Sequence, residues 1–141
     1  MNNATENYLP QTDEALNLID FVEERMPGYT HKIDIERNRI NGMTDDADAL
    51  AQAIYLILNI ERYQYPIYSQ RYGSELRDLI GKPKDYAMSE CKRRITEALI
   101  QDDRILDVRD WEFETGFKKV TAKFKVKTIY GELMAEKEFD F

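Results

Sequence analysis

Apolar positions along the chain follow two periods. Up to about residue 101 they recur mostly at helical spacing, and from Ile105 onward they alternate. Thr12-Asp13 can cap a helix carrying Ala15, Leu16, Leu18, Ile19 and Val22, but the same stretch can equally lie extended in a partner's groove. Pro27-Gly28 ends it in either case, so residues 1–28 read as an N-terminal arm and 29–141 as one domain. Tyr29 to Ile40 alternates in part, through Ile33 and Ile35, and stops at the turn signal Asn41-Gly42; it is predicted as a strand. Thr44-Asp45 caps a helix reaching about Ile60, with Ala47, Leu50, Ala51, Ile54, Ile57 and Leu58 as its apolar stripe. A short helix is predicted over Gly73–Ile80, closed by Gly81. A third runs from about Asp85 to Gln101, with Met88, Cys91, Ile95, Ala98 and Leu99 on one face and Lys92, Arg93 and Arg94 mostly off it.

In the alternating region Leu106 and Val108 share one phase while Trp111 and Phe113 take the other. A bulge near Arg109-Asp110 restores a common face. Val120, Ala122, Phe124 and Val126 then alternate with Lys119, Thr121, Lys123, Lys125 and Lys127. After Gly131, Leu133, Ala135, Phe139 and Phe141 alternate with Glu132, Glu136, Glu138 and Asp140. Two registers of this last hairpin keep the apolar faces together and oppose the charges. A loop at Tyr130-Gly131 sets Lys125 opposite Glu136 and Lys123 opposite Glu138. A loop at Gly131-Glu132 sets Lys125 opposite Glu138 and Lys127 opposite Glu136. The fold expected is α+β: an early strand, three helices and a C-terminal three-stranded antiparallel meander.

Composition adds limits. A chain of 141 residues, 43% hydrophobic and 33% charged, supports a single folded core. A net charge of -7 disfavours nonspecific binding to nucleic acid or an anionic membrane, and no apolar run is long enough to span a bilayer. The start, Met1-Asn2-Asn3-Ala4, has neither the basic nor the apolar region of a signal peptide. Cys91 is the one cysteine, so no disulfide forms within the chain, which fits a reducing compartment.

The stretch Glu61–Pro83 carries the functional signal. Tyr63, Tyr65, Tyr68 and Tyr72 crowd together with Arg62 and Arg71, and Pro66 argues against helix there. Tyrosine and arginine bury large areas while still hydrogen-bonding, and protein interfaces are enriched in them; a core cluster is the plainer alternative. Catalytic readings are thinner. Glu61 with Glu75 or Asp78 could serve as the acid and nucleophile of a glycosidase. Cys91 with His31 could form a nucleophilic pair, but Cys91 lies on an apolar helix face. One His and one Cys do not build a zinc site, and no glycine-rich phosphate cradle is present, so no cofactor or metal is expected. Lys118, Lys119, Lys123, Lys125 and Lys127 form a basic stripe that the adjacent acidic strand balances, which is a better account than nucleic-acid binding.

One further pattern stands out. A helix, then I-E-R-Y-Q-Y-P-I-Y-S-Q-R-Y-G-S-E-L-R-D-L-I-G-K-P, then a helix ending A-L-I-Q-D-D-R-I, then a meander containing T-I-Y-G-E resembles the baseplate wedge proteins, or sheath initiators, of contractile phage tails. The PBSX-like prophage branch, shared with contractile bacteriocins, is the nearest likeness, and it runs from about Tyr29 to the end. Glu61-Arg62 matches the family's Glu-Arg pair, and Tyr72-Gly73 its aromatic-Gly step. The resemblance implies a ring of copies around the tail tube in a virion baseplate or contractile particle, after synthesis in the bacterial cytoplasm. It also implies wedge proteins bound near the Glu-Arg segment, and a sheet resembling the sheath subunit's joining domain on which the first sheath ring grows. Partners would be wedge proteins and sheath subunits, with tube or hub proteins as further candidates. Glu61, Arg62, Tyr65, Tyr68, Arg71, Tyr72 and Gly73 form the expected protein interface. Some family members were formerly labelled tail lysozymes; peptidoglycan hydrolysis and a generic adaptor role are the alternatives.

Overall fold

A computed structural model describes residues 28–140, so expectations for the arm before Gly28 lie outside the described residues. The element order is β1 (Thr30–Asp34), β2 (Arg39–Thr44), α1 (Asp46–Asn59), a 3-10 turn (Arg77–Leu79), α2 (Lys84–Ile100), β3 (Ile105–Thr115), β4 (Lys119–Thr128) and β5 (Gly131–Asp140). β1 and β2 form one antiparallel sheet, and β3-β4-β5 form the second, the expected meander.

Two element assignments are corrected. The described residues contain two helices, not three: Gly73–Ile80 holds only the 3-10 turn. Its backbone groups are committed elsewhere. Ser74 N–H donates to the Ile60 carbonyl (2.9 Å), and the Ser74 carbonyl accepts from Arg62 N–H (3.1 Å). The bridge to Glu61 holds Ser74, and its carbonyl, the acceptor that a helix beginning there would use first, is already taken. The early strand is instead a hairpin. Its turn lies at residues 35–38, where Asn38 adopts φ 49°, and Asn41-Gly42 falls inside β2. His31 pairs with Met43 but Ile33 with Ile40, so β2 carries one extra residue. Gly42, at φ 75°, absorbs it as a bulge. The outer edge of β1 is closed by a side chain: Gln52 on α1 accepts from Ile33 N–H (2.9 Å) and donates to the His31 carbonyl (2.8 Å).

Asp45 caps α1 as expected, and Asp46 and Asp48 sit in its first turn, where the helix dipole favours negative charge. The core is the stripe Leu50, Ile54, Ile57 and Leu58 of α1, the stripe Ala87, Cys91, Ile95, Ala98 and Leu99 of α2, and the inner face of the meander. Val120, Ala122, Phe124 and Val126 of the central strand are completely buried. Leu76 and Leu79 bring the 3-10 turn into the same core.

The bulge in β3 falls between Arg109 and Glu112, with Asp110 at φ 54°, and turns Trp111 inward so that it stacks on Phe124 at 4.5 Å. A second irregularity between Ile105 and Asp107 was not foreseen. It buries Ile105 and leaves Leu106 exposed. The β4–β5 hairpin takes neither expected register. Its loop is Ile129-Tyr130, Thr128 pairs with Gly131, Lys123 opposes Glu136, and Lys125 opposes Met134. Thr128 decides this, because its hydroxyl accepts from Tyr130 N–H (3.1 Å) and donates to the Gly131 carbonyl (2.8 Å). Val126–Leu133 and Phe124–Ala135 still share the core face, so burial does not separate the registers and the turn selects among them.

Candidate protein-docking site

The Tyr-rich stretch is a loop pinned at its base. After α1 ends, Glu61 and Ser74 form a parallel bridge, and residues 63–72 loop out between them. The Ser74 hydroxyl adds a bond to the Leu58 carbonyl (3.4 Å). Gly73, at φ 92°, makes the close approach possible: a Cβ there would stand 2.5 Å from the Ile60 carbonyl oxygen.

Arg62 fills the base. Its side chain is only 11% exposed. Nη1 reaches Glu75 Oε1 (3.2 Å) and Glu97 Oε1 (3.3 Å), and Nη2 donates to the Gly73 carbonyl (3.3 Å). Its Nε is buried without a hydrogen-bond partner. Arg94 holds the same region from α2, donating to the Glu75 carbonyl (2.6 Å) and to Glu90 Oε2 (3.2 Å). Arg93 pairs with Glu90 (2.9 Å) and Glu97 (3.2 Å). Hydrogen bonds from Arg93, with further help from Arg94, hold the Glu90 carboxyl below its ordinary pKa. Glu61 also turns inward, its Oε1 accepting from Arg77 N–H (3.4 Å).

The predicted interface residues therefore divide. Glu61, Arg62 and Gly73 shape the base. Tyr65, Tyr68 and Arg71 lie exposed on the loop, with Tyr63 and Ile67, the latter 86% exposed. Tyr72 joins the two levels. It packs against the core and stacks on Tyr68 at 4.7 Å, while Tyr65 meets Tyr68 edge-on at 6.2 Å. Burial raises the Tyr72 phenol pKa, and the neighbouring Tyr68 adds to it. Arg71, Tyr72 and Gly73 also line a hollow of about 280 Å³ with Asp102 and Arg104. Sequence reading missed the α2 side of the base. Its signal was present: Glu90 lies three and four residues before Arg93 and Arg94, and Glu97 four after Arg93, the spacings that pair charges on a helix.

A second feature lies at the meander's edge. β5 pairs with β4 on one side, and six consecutive β5 residues, Leu133 to Glu138, wall a groove of about 440 Å³ against Ala51, Ile54, Tyr55, Leu58 and Asn59 of α1.

The carboxylates considered for catalysis are engaged in structure. Glu75 pairs with Arg62 and Asp78 with Arg94 (4.0 Å), besides the Glu61 bond. Burial pushes the Cys91 thiol pKa up to about 12, and Cys91 lies on α2 whereas His31 lies on β1. Among the described residues no cluster of His, Cys, Asp or Glu could hold a metal ion, and no helix is long and apolar enough to cross a membrane. In the basic stripe, Lys119, Lys123 and Lys125 pair with Glu138, Glu114 and Asp110.

Residues 22–131 match the contractile injection system sheath initiators. The chain belongs to that family. The phage-like element PBSX protein XkdS of Bacillus subtilis (strain 168) is 40% identical over 111 residues, which cover 76% of this chain and 79% of that relative. This sheath initiator is thus a structural protein of a phage-type contractile tail, and its partners are other tail or baseplate components.

Proposed function

We propose that this sheath initiator joins baseplate wedge proteins to the first sheath ring through two separate surfaces, and that it turns over no substrate. The loop at 63–72 docks on the wedge. Its carrying observation is a rigid base beneath an exposed aromatic tip: Arg62 and Gly73 fix the path, while Tyr63, Tyr65, Ile67 and Tyr68 face outward. A pinned loop loses little conformational entropy on binding, and large exposed apolar and aromatic side chains supply the anchors of an interface. The second surface is the outer edge of β5, where an arm of a sheath subunit adds as a further strand. The groove between β5 and α1 gives it room, and backbone hydrogen bonds supply its affinity.

Co-expression with wedge and sheath proteins of the same contractile system tests both surfaces. Ile67→Asp with Tyr68→Ala is expected to abolish wedge co-purification and leave sheath capture intact. Ala51→Trp, which fills the groove, is expected to do the reverse. Glycan cleavage by the purified protein that vanishes in Glu61→Gln would overturn the non-enzymatic reading.

A further inference from the structure

The groove beside β5 has a charged feature that strand addition alone does not require. Lys137 shares the inward phase of β5 with Leu133, Ala135 and Phe139, a row otherwise apolar. Its ammonium lies half-buried in the groove wall and donates to Asn59 Oδ1 (2.7 Å), a neutral acceptor. It makes no ion pair among the described residues, whereas Lys119, Lys123 and Lys125 on the outer phase each have a carboxylate partner.

Asn59 is itself held, its amide donating to the Tyr55 carbonyl (2.7 Å). The lysine is therefore fixed at the junction of α1 and β5 with hydrogen-bonding capacity to spare, since an ammonium has three donors. Burial lowers its pKa, with the more distant Glu61 opposing. Glu61 lies beyond ion-pair distance and already accepts from Arg77. A cation kept partly out of water with one neutral partner lowers the stability of the free protein, and an incoming carboxylate would remove that deficit.

We propose that the β5 groove selects an extended partner segment bearing an aspartate or glutamate whose carboxylate reaches Lys137 Nζ. The proposal rests on the strand-addition reading of the groove. Apolar residues flanking the acid in the same phase would lie over Ile54 and Leu58, which line the groove with Ala135. The acid would set register, because a shift by one residue turns it to the other face of the added strand.

The plainer role for Lys137 is to face the negative end of the α1 dipole, since the last turn of α1 carries no basic residue of its own. The two roles separate by experiment. The full chain is co-assembled with its own sheath subunit, treated with a carbodiimide that condenses amines with carboxylates in contact, and mapped by mass spectrometry. A cross-link from Lys137 to a sheath carboxylate is expected. Lys137→Met is expected to melt no lower than wild type while capturing sheath at least tenfold more weakly, and Lys137→Arg to retain most capture. Equal capture by Lys137→Met, with Ala51→Trp still blocking, would overturn the carboxylate inference and leave the groove reading standing. Normal capture by Ala51→Trp as well would overturn both. A Lys137→Met variant that melts lower but captures normally would assign Lys137 to the helix end.

Discussion

Replacing Gly73 by alanine tests whether the loop at 63–72 owes its shape to a single close approach. Gly73 sits at φ 92°, and its Cβ would meet the Ile60 carbonyl oxygen at 2.5 Å and Arg62 N at 3.3 Å. Both neighbours are backbone, so neither can swing aside. The left-handed conformation alone costs an alanine roughly 1–2 kcal/mol. Relieving the contact means opening the bridge, which holds the Ser74–Ile60 (2.9 Å) and Arg62–Ser74 (3.1 Å) hydrogen bonds. Each contributes about 0.5–1.5 kcal/mol net. Together the loss comes to about 2–5 kcal/mol, a large part of the roughly 5–15 kcal/mol that stabilises a typical domain. Gly81→Ala is the internal control. Gly81 has φ 79° but open space around its Cβ position, so only the conformational cost applies. Urea unfolding followed by circular dichroism reads both. Gly73→Ala is expected to lose at least 1 kcal/mol more than Gly81→Ala and to lose wedge binding. Equal losses would refute the argument, because they would mean that the Ile60–Ser74 bridge yields without cost.

Arg62 and Tyr68 are expected to part company. Arg62→Ala removes a largely buried guanidinium from two half-exposed carboxylates and should lower stability by about 1–2 kcal/mol. Tyr68→Ala should leave it within about 0.5 kcal/mol while weakening wedge assembly by about 2 kcal/mol; paired denaturation and pull-down measurements check both. Cys91 should resist a thiol-specific reagent at pH 8 in the native protein and react once unfolded. Its pKa is raised on folding, so its contribution to stability is complete below the ordinary thiol range and is lost as pH rises from about 8.5 toward about 12. Denaturant midpoints should fall over that interval, and fall less in Cys91→Ala. Gln52→Ala should accelerate amide exchange at Ile33, whose N–H the Gln52 side chain accepts, with little change in global stability.

Much of the architecture follows from the order of residue types along the chain. The apolar stripe of α1, its Asp45 cap, the α2 face through Cys91, Ile95 and Leu99, and the buried row of β4 are local periodicities, and burial enforces them wherever the elements pack. The β3 bulge is legible for the same reason: Trp111 and Phe113 are large enough that leaving them outside would cost more than one unpaired residue. Tertiary structure decided where local signals were degenerate. Asn41-Gly42 suits a tight turn or a bulge equally well, and pairing of His31 with Met43 made it a bulge. The last hairpin had more than one register with equivalent burial, and the Thr128 hydroxyl separated them. The predicted helix over Gly73–Ile80 gave way because Ser74 binds Ile60 and Arg62, partners distant in the chain, which helical spacing does not register. The site divides in the same manner. Composition marked the tyrosines and arginines from Glu61 to Gly73, but whether each faces solvent or the α2 carboxylates depended on packing. Only the fold placed Glu75 and Glu97 around Arg62, and Asn59 beside Lys137 across 78 residues of chain.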